Sequence, residues 1–293
     1  MTPRLLPFFE RAARFALHRR GFESRIIPTG VVPLHAFVAA GEGPLPTTVL
    51  LHGIGAAAIT YAATLVRLRP HVRRLIALDL PGHGFSAAPE VRLTPEVLFG
   101  CVREALDRAA DEPIILVGNS MGGALALHYA MEEPERVRAL VLVSPAGARI
   151  SPEEWGALVR SFKIESVAEA RRLLGRLYHR TPWYAGALAP DFRAVLRRRA
   201  IRDLLETTTL EHFPDPRRFG ELTMPVLLLW GQSERIMPLE ALGYFRRYLP
   251  AHTLVEEPSG FGHCPHFDDP GRLAARIVDF ARTAVPDTHR EAS

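Results

Sequence analysis

The sequence predicts an α/β fold, a mostly parallel sheet flanked by helices with a helical segment inserted after the sixth strand. Three observations carry this. Short apolar runs at residues 47–51, 75–78, 114–117 and 137–143 alternate with stretches of helical period. These runs are apolar at nearly every position, as strands covered on both faces require. The alternation then stops near residue 150 and resumes at "MPVLLLWG", leaving a helical, polar, arginine-rich stretch between.

Taken in order, residues 4–20 place Leu5, Phe8, Phe9, Ala12, Phe15 and Ala16 at spacings of three, four and seven. Arg4, Arg11, Arg14 and His18 fall largely on the other side, so residues 1–22 are set apart as an amphipathic N-terminal helix. Two placements are open: docking on the chain's own domain, or peripheral membrane contact through residues 1–20 with the arginines toward anionic lipid. Docking is preferred, because Glu10 and the alanines weaken the amphipathic contrast.

"SRIIPTG" and "PLHAFVAAG" read as a hairpin around Thr29-Gly30. The strand at 47–51 leads into "HGIG" and a helix through Leu68, and the strand at 75–78 ends in "DLPGHGFS". Thr94 caps a helix over 94–109 with Pro95 in its first turn. A strand at 114–117, a helix at 121–131 and a strand at 137–143 follow. Residues 150–218, with Trp155, Trp183 and Tyr184 as large aromatics, form the expected helical cap. "MPVLLLWG" and "HTLVEEP" supply two more strands, and 269–283 a closing helix, so the core is 23–149 with 219–293. An insertion between strands of an open sheet lies over the strand ends, where such sheets bind ligands.

The 293 residues are 47% hydrophobic, enough for one sheet with an insertion. No apolar run approaches the roughly 18–20 residues of a membrane span, and no secretory signal is recognisable at the N-terminus. Two cysteines, Cys101 and Cys264, make no disulfide framework, which predicts a cytoplasmic setting with membrane association as the second reading. The net charge is +4, and Lys163 is the single lysine among 36 basic residues. The arginines are scattered rather than gathered beside aromatics, which argues against a nucleic-acid partner.

The chemistry centres on "GNSMGG". Gly118-Asn119-Ser120-Met121-Gly122 is a G-x-S-x-G placed after a strand and before a helix, the setting in which that pattern has meaning. A sharp turn there exposes the Ser120 hydroxyl at a helix N-terminus, where side chains at 118 or 122 would collide with backbone. A serine needs a base. Of twelve histidines, His263 lies in the glycine-bracketed loop "SGFGHCPHF", whereas His52 and His83 read as loop supports and His266 as a supporting or surface residue. A base needs an orienting carboxylate, and Glu234 stands just past a buried strand in the chain order Ser, acid, His.

With these segments in place, "LHGIG", "DLPGHGFS", "GNSMGG" and "WGQSERIMP…GHCPHF", the chain resembles the α/β-hydrolase superfamily over about residues 25–285. Within it the chain is similar to capped bacterial esterases and lipases and to meta-cleavage product hydrolases. The resemblance implies Ser120 as nucleophile, His263 as base and Glu234 as acid, where capped relatives usually carry aspartate. It implies an oxyanion hole from the backbone amides of Ile54 and Met121, with His52, Gly53, Gly118, Asn119 and Gly122 as supporting residues. No cofactor is expected, no metal is expected because His263 and His266 lack a nearby companion set of ligands and Cys101 is far off in sequence, and the aromatic cap points to a small hydrophobic ester as substrate.

Four functions follow from it. The first is hydrolysis of a carboxylic ester through an acyl-enzyme on Ser120. The second is carbon–carbon bond hydrolysis of the meta-cleavage type, although Cys264 stands where those enzymes usually have tryptophan after the histidine. A cofactor-free perhydrolase or haloperoxidase and a non-catalytic binding protein complete the set.

Overall fold

The computed structural model describes residues 5–284; the remaining ends of the expected N-terminal segment and core, with Arg4, lie outside the described residues. Eight strands form one sheet in the order β1-β2-β4-β3-β5-β6-β7-β8. They are β1 Glu23–Ile27, β2 Leu34–Ala40, β3 Thr48–Leu51, β4 Arg74–Leu78, β5 Ile114–Asn119, β6 Val137–Val143, β7 Val226–Leu229 and β8 Leu254–Glu256. β2 runs antiparallel to β1 and β4, and the other pairings are parallel. The α/β architecture read from the apolar runs is the one observed.

The helices are α1 Leu6–His18, α2 Ala62–Leu68, α3 Pro95–Ala109, α4 Met121–Glu132, α5 Pro152–Phe162, α6 Val167–Leu177, α7 Ala185–Leu196, α8 Arg199–Thr207, α9 Leu239–Tyr248, α10 Pro265–Asp268 and α11 Pro270–Ala284. Thr94 caps α3 by accepting the Val97 amide. Helices α5 to α8 are the insertion between β6 and β7. Side chains of β5 alternate between two cores: Ile114 and Leu116 join one with α3 and α4, Ile115 and Val117 the other with α2 and α11. Each fully buried aliphatic contributes about 1.5–3 kcal/mol, which keeps the central strands in register.

Asp79, fully buried at the end of β4, ties three segments together. Its carboxylate accepts from the Ala58 amide (2.7 Å), the Phe85 amide (3.1 Å) and His35 Nδ1 (2.8 Å). Gly84, at φ 52°, passes so close that a Cβ would stand 2.1 Å from Asp79 Oδ1. "DLPGHGFS" is thus a loop folded around its first carboxylate.

Helix α1 docks on the domain with an unexpected face. Asp191 of α7 accepts from the Leu5 and Leu6 amides (2.7 and 2.9 Å), satisfying donors that a helix start leaves free. Leu17 enters the core and the Arg14 guanidinium covers the Phe85 ring at 4.8 Å. Of the phenylalanines counted as the apolar face in the sequence, Phe8 and Phe15 point to solvent and Phe9 is half exposed.

Replacing Asp79 by Ala should lower the unfolding free energy by about 3 kcal/mol or more in urea titrations. It strands two buried amides and an imidazole N–H, and charged acceptors contribute about 1.5–3 kcal/mol per bond. A loss below about 1 kcal/mol would refute the central role of this carboxylate.

Candidate active site

Ser120 sits between β5 and α4 with φ 54° and ψ −119°, a conformation that costs a non-glycine residue about 1–3 kcal/mol. The surroundings leave it no alternative. Its amide donates to the Val143 carbonyl (3.1 Å), and its carbonyl accepts from Gly123, Ala124 and Ala146. A Cβ on Gly118 would lie 2.2 Å from the Gly122 carbonyl, and one on Gly122 would lie 2.3 Å from that of Leu51. The glycines allow the turn to close against the ends of β3 and β5, which leaves the hydroxyl at the start of α4.

His263 and Glu234 meet in the same place. His263 Nδ1 donates to Glu234 Oε2 at 2.8 Å, and both side chains are 3% exposed. Burial pushes the Glu234 carboxyl up, but His263 beside it, the Ser144 hydroxyl and the Met237 amide outweigh this and hold it below the ordinary value. The extra methylene of glutamate is accommodated by the turn after β7. Oε1 accepts from the Ile236 and Met237 amides (2.6 and 3.0 Å), so the carboxylate folds back over its own backbone. The two loops can approach because Gly231 has no side chain: a Cβ there would be 2.3 Å from the Phe261 carbonyl.

Asn119 joins the elbow to the histidine loop. Its Nδ2 donates to the carbonyls of Val143 and His263, each at 2.9 Å, and Cys264 Sγ donates to its Oδ1 at 3.8 Å. No spacing in the sequence reveals this link, since its partners lie 24 and 144 residues away. Asp268 makes the corresponding tie to the insertion, accepting from the Gly262 and His179 amides at 2.7 Å each.

Ser120, His263 and Asn119 line one cavity of about 380 Å³ together with Gly53, Ile54 and Cys264. The insertion closes it with Phe162, Leu174, Leu177, Tyr178 and Phe192, and α1 adds Leu6, Phe9 and Glu10. A smaller cavity of about 100 Å³, lined by Met121, Trp155, Leu158, Phe213 and Met237 among others, shares Ile54, Ser120 and Phe162 with the first. Ser120 therefore stands where two largely apolar lobes meet, with Ile54 and Met121 beside it. Gly53 lies against the elbow, its missing Cβ 3.1 Å from that of Ser120. The Ala58–Asp79 bond and His52, whose Nε2 accepts the Leu80 amide at 3.1 Å, brace the Ile54 loop. A hydroxyl and an imidazole held by a carboxylate, facing one cavity, suit nucleophilic acyl transfer.

The family model described as alpha/beta hydrolase family matches residues 48–276. The chain belongs to this family. It is 30% identical over 263 residues to a pimeloyl-[acyl-carrier protein] methyl ester esterase of Xanthomonas axonopodis pv. citri, covering 81% of this chain and 96% of the relative. The carboxylesterase CesB of Bacillus subtilis superposes with a TM-score of 0.77 at 20% identity, covering 96% of this chain and 99% of the other. The 2-hydroxy-6-oxo-6-phenylhexa-2,4-dienoate hydrolase of Rhodococcus sp. strain RHA1 gives 0.76 at 24% identity, covering 89% and 99%. Among the described residues no helix is long and apolar enough to cross a membrane.

His52, His83 and His266 do not line the cavity. His52 donates from Nδ1 to the Gly53 carbonyl (2.8 Å), and His83 donates to that of Pro81 (2.9 Å). His266 is not a surface residue: it is buried with its ring nitrogens unpaired, against Tyr61 (4.4 Å between centroids) and Phe267 (4.3 Å). Burial, with neighbouring imidazoles, depresses His83 and His266 to about 3. An unfolded histidine protonates near pH 6.5, so between 6.5 and 3 the unfolded chain binds more protons and stability falls with falling pH. Substituting His266→Phe should reduce the stability lost between pH 6.5 and 4.5 by about 2 kcal/mol in denaturant titrations. An unchanged pH slope would show that His266 takes up its proton without unfolding.

Proposed function

We propose that this protein is a serine hydrolase that cleaves carboxylic esters of small hydrophobic compounds. The observation that carries the reading is the buried His263–Glu234 pair lining, through His263, the same cavity as the strained Ser120. Ser120 Oγ attacks the acyl carbon while its proton passes to His263 Nε2. The Nδ1 proton stays on the imidazole, held by Glu234, which stabilises the imidazolium without taking the proton. Negative charge on the former carbonyl oxygen is received by the Ile54 and Met121 amides and by the N-terminal end of α4. His263 then protonates the departing alkoxide, leaving an acyl group on Ser120. Water attacks that ester with His263 again as base, which releases the acid and regenerates the hydroxyl.

Apolar walls on both sides of Ser120 support a hydrophobic substrate, with one lobe for the acyl group and one for the alcohol. The esterases among the relatives agree with this reading. Carbon–carbon hydrolysis draws on the Rhodococcus structure, a likeness that bears on the fold, and no side chain of this site favours it over ester cleavage.

Turnover of p-nitrophenyl esters across acyl lengths, with fluorophosphonate labelling, tests the proposal. Ser120→Ala should abolish labelling and lower kcat by about 10⁴-fold or more, and Glu234→Gln by about 10³–10⁴-fold with folding retained. Wild type no faster than Ser120→Ala would end the enzyme reading; near-normal activity of Glu234→Gln would move the acid role elsewhere. Asn119→Leu, which unfastens the histidine loop, should lower kcat by at least about tenfold with little change in KM. Unchanged kcat would leave that link purely structural.

A further inference from the structure

Two exposed aromatic pairs that the core does not use each place one member in the wall of the catalytic cavity. On α1, Phe8 and Phe9 are 67% and 52% exposed and stack edge to face, with centroids 5.9 Å apart. On the insertion, Trp183 and Tyr184 are 94% and 47% exposed and make a second such pair at 5.8 Å. Phe9 and Tyr184 both line the cavity, so the two pairs belong to one opening. Phe15, also 67% exposed, extends the patch along α1, since residues 8, 11 and 15 fall on one helical stripe.

Arginines stand beside this patch. Arg11 lies within the phenylalanine stripe, Arg180 precedes Trp183 on the insertion, and both are exposed. Arg198 stands on the cavity wall. Of the acidic groups on these elements, Glu10 faces the cavity, Asp191 is buried under the start of α1 and Asp268 accepts the His179 amide, while Asp269 beyond Phe267 is exposed. Exposed aromatics with arginines on one face match the chemistry of an anionic lipid–water interface, where aromatic rings sit at headgroup level and arginine meets phosphate.

We infer that this rim docks on an anionic lipid surface, with Phe8, Phe15 and Trp183 entering the headgroup region and the cavity mouth facing the bilayer. The docked α1 and a membrane contact are then compatible, because the helix uses Leu17, Arg14 and its N-terminal amides inward and its phenylalanines outward. Binding does not depend on the proposed chemistry, whereas delivery of an ester from the bilayer rests on it.

Vesicles containing phosphatidylglycerol, compared with pure phosphatidylcholine, test the inference by flotation and by tryptophan fluorescence. The full chain should float with the anionic vesicles and bind phosphatidylcholine at least about tenfold more weakly. Its emission should shift to the blue and be quenched by bromolipids, and Trp183→Phe should remove that response. The triple variant Phe8→Ser/Phe15→Ser/Trp183→Ser should lose at least about tenfold in vesicle binding. None of the three lines the cavity, so hydrolysis of a water-soluble ester should persist, which reports that the variant is folded. Failure of ester hydrolysis with binding intact would overturn only the chemistry. No flotation of wild type, equal binding to both vesicle types, or undiminished binding by the triple variant would overturn the inference. So would a concentration-dependent dimer that Trp183→Ser dissociates, since a second copy would then cover the rim.

Discussion

The site depends on the closeness with which the end of β5 meets its neighbours. Ser120 takes a backbone conformation that no isolated chain would hold, and three carbonyl contacts plus one amide contact hold it there. Those bonds form only if Gly118 and Gly122 bring the backbone within reach, since any Cβ would be driven into a carbonyl oxygen. The elbow is thus specified by exclusion: the packing leaves no room for a relaxed turn. The strain of about 1–3 kcal/mol is carried by the surrounding sheet, whose central strands are buried on both faces.

The same device recurs where the acid and histidine loops meet. Gly231 brings the loop after β7 against Phe261, and Asn119 fixes the His263 carbonyl to the carbonyl end of β6 through one amide group. His263 therefore has its backbone set by the elbow and its ring by Glu234. A small displacement of any of the three strand ends would be felt at the imidazole. Ser144, following β6 at φ 40°, lies beside the same carboxylate and is a second strained residue at the candidate site.

Much of this was legible in the chain because strands buried on both faces leave continuous apolar runs, and because elbow and loop glycines are local signals. β5 nonetheless runs two residues further than its apolar stretch, since Gly118 and Asn119 still pair with Leu142 and Val143. Contacts made across the sequence left no such trace. Asp79 reads as an ordinary loop carboxylate until Ala58, Phe85 and His35 are seen around it. Asn119 is one polar residue in a motif until its two carbonyl partners are known, and His266 reads as either a supporting or a surface residue until Tyr61 is seen against it. The period of α1 marks two chemically different faces but does not say which one turns inward, because Asp191 and Phe85 decide that from elsewhere.

The orientation of α1 also separates what the fold needs from what it does not. The insertion and histidine loop are fastened to each other by Asp268 and by the bond from the Cys264 amide to the Leu177 carbonyl. Loosening the insertion would disturb His263 directly. Helix α1 is held by other means, through Asp191 at its start and Leu17 and Phe22 at its end, so its outer stripe is free of structural duty. Phe8 and Phe15 on that stripe, and the half-exposed Phe9 beside it, add little to the core, where each would contribute about 1.5–3 kcal/mol if buried. They are exposed instead, and Phe9 alone of the three also reaches the cavity wall, so the stripe is open to the external contact inferred above.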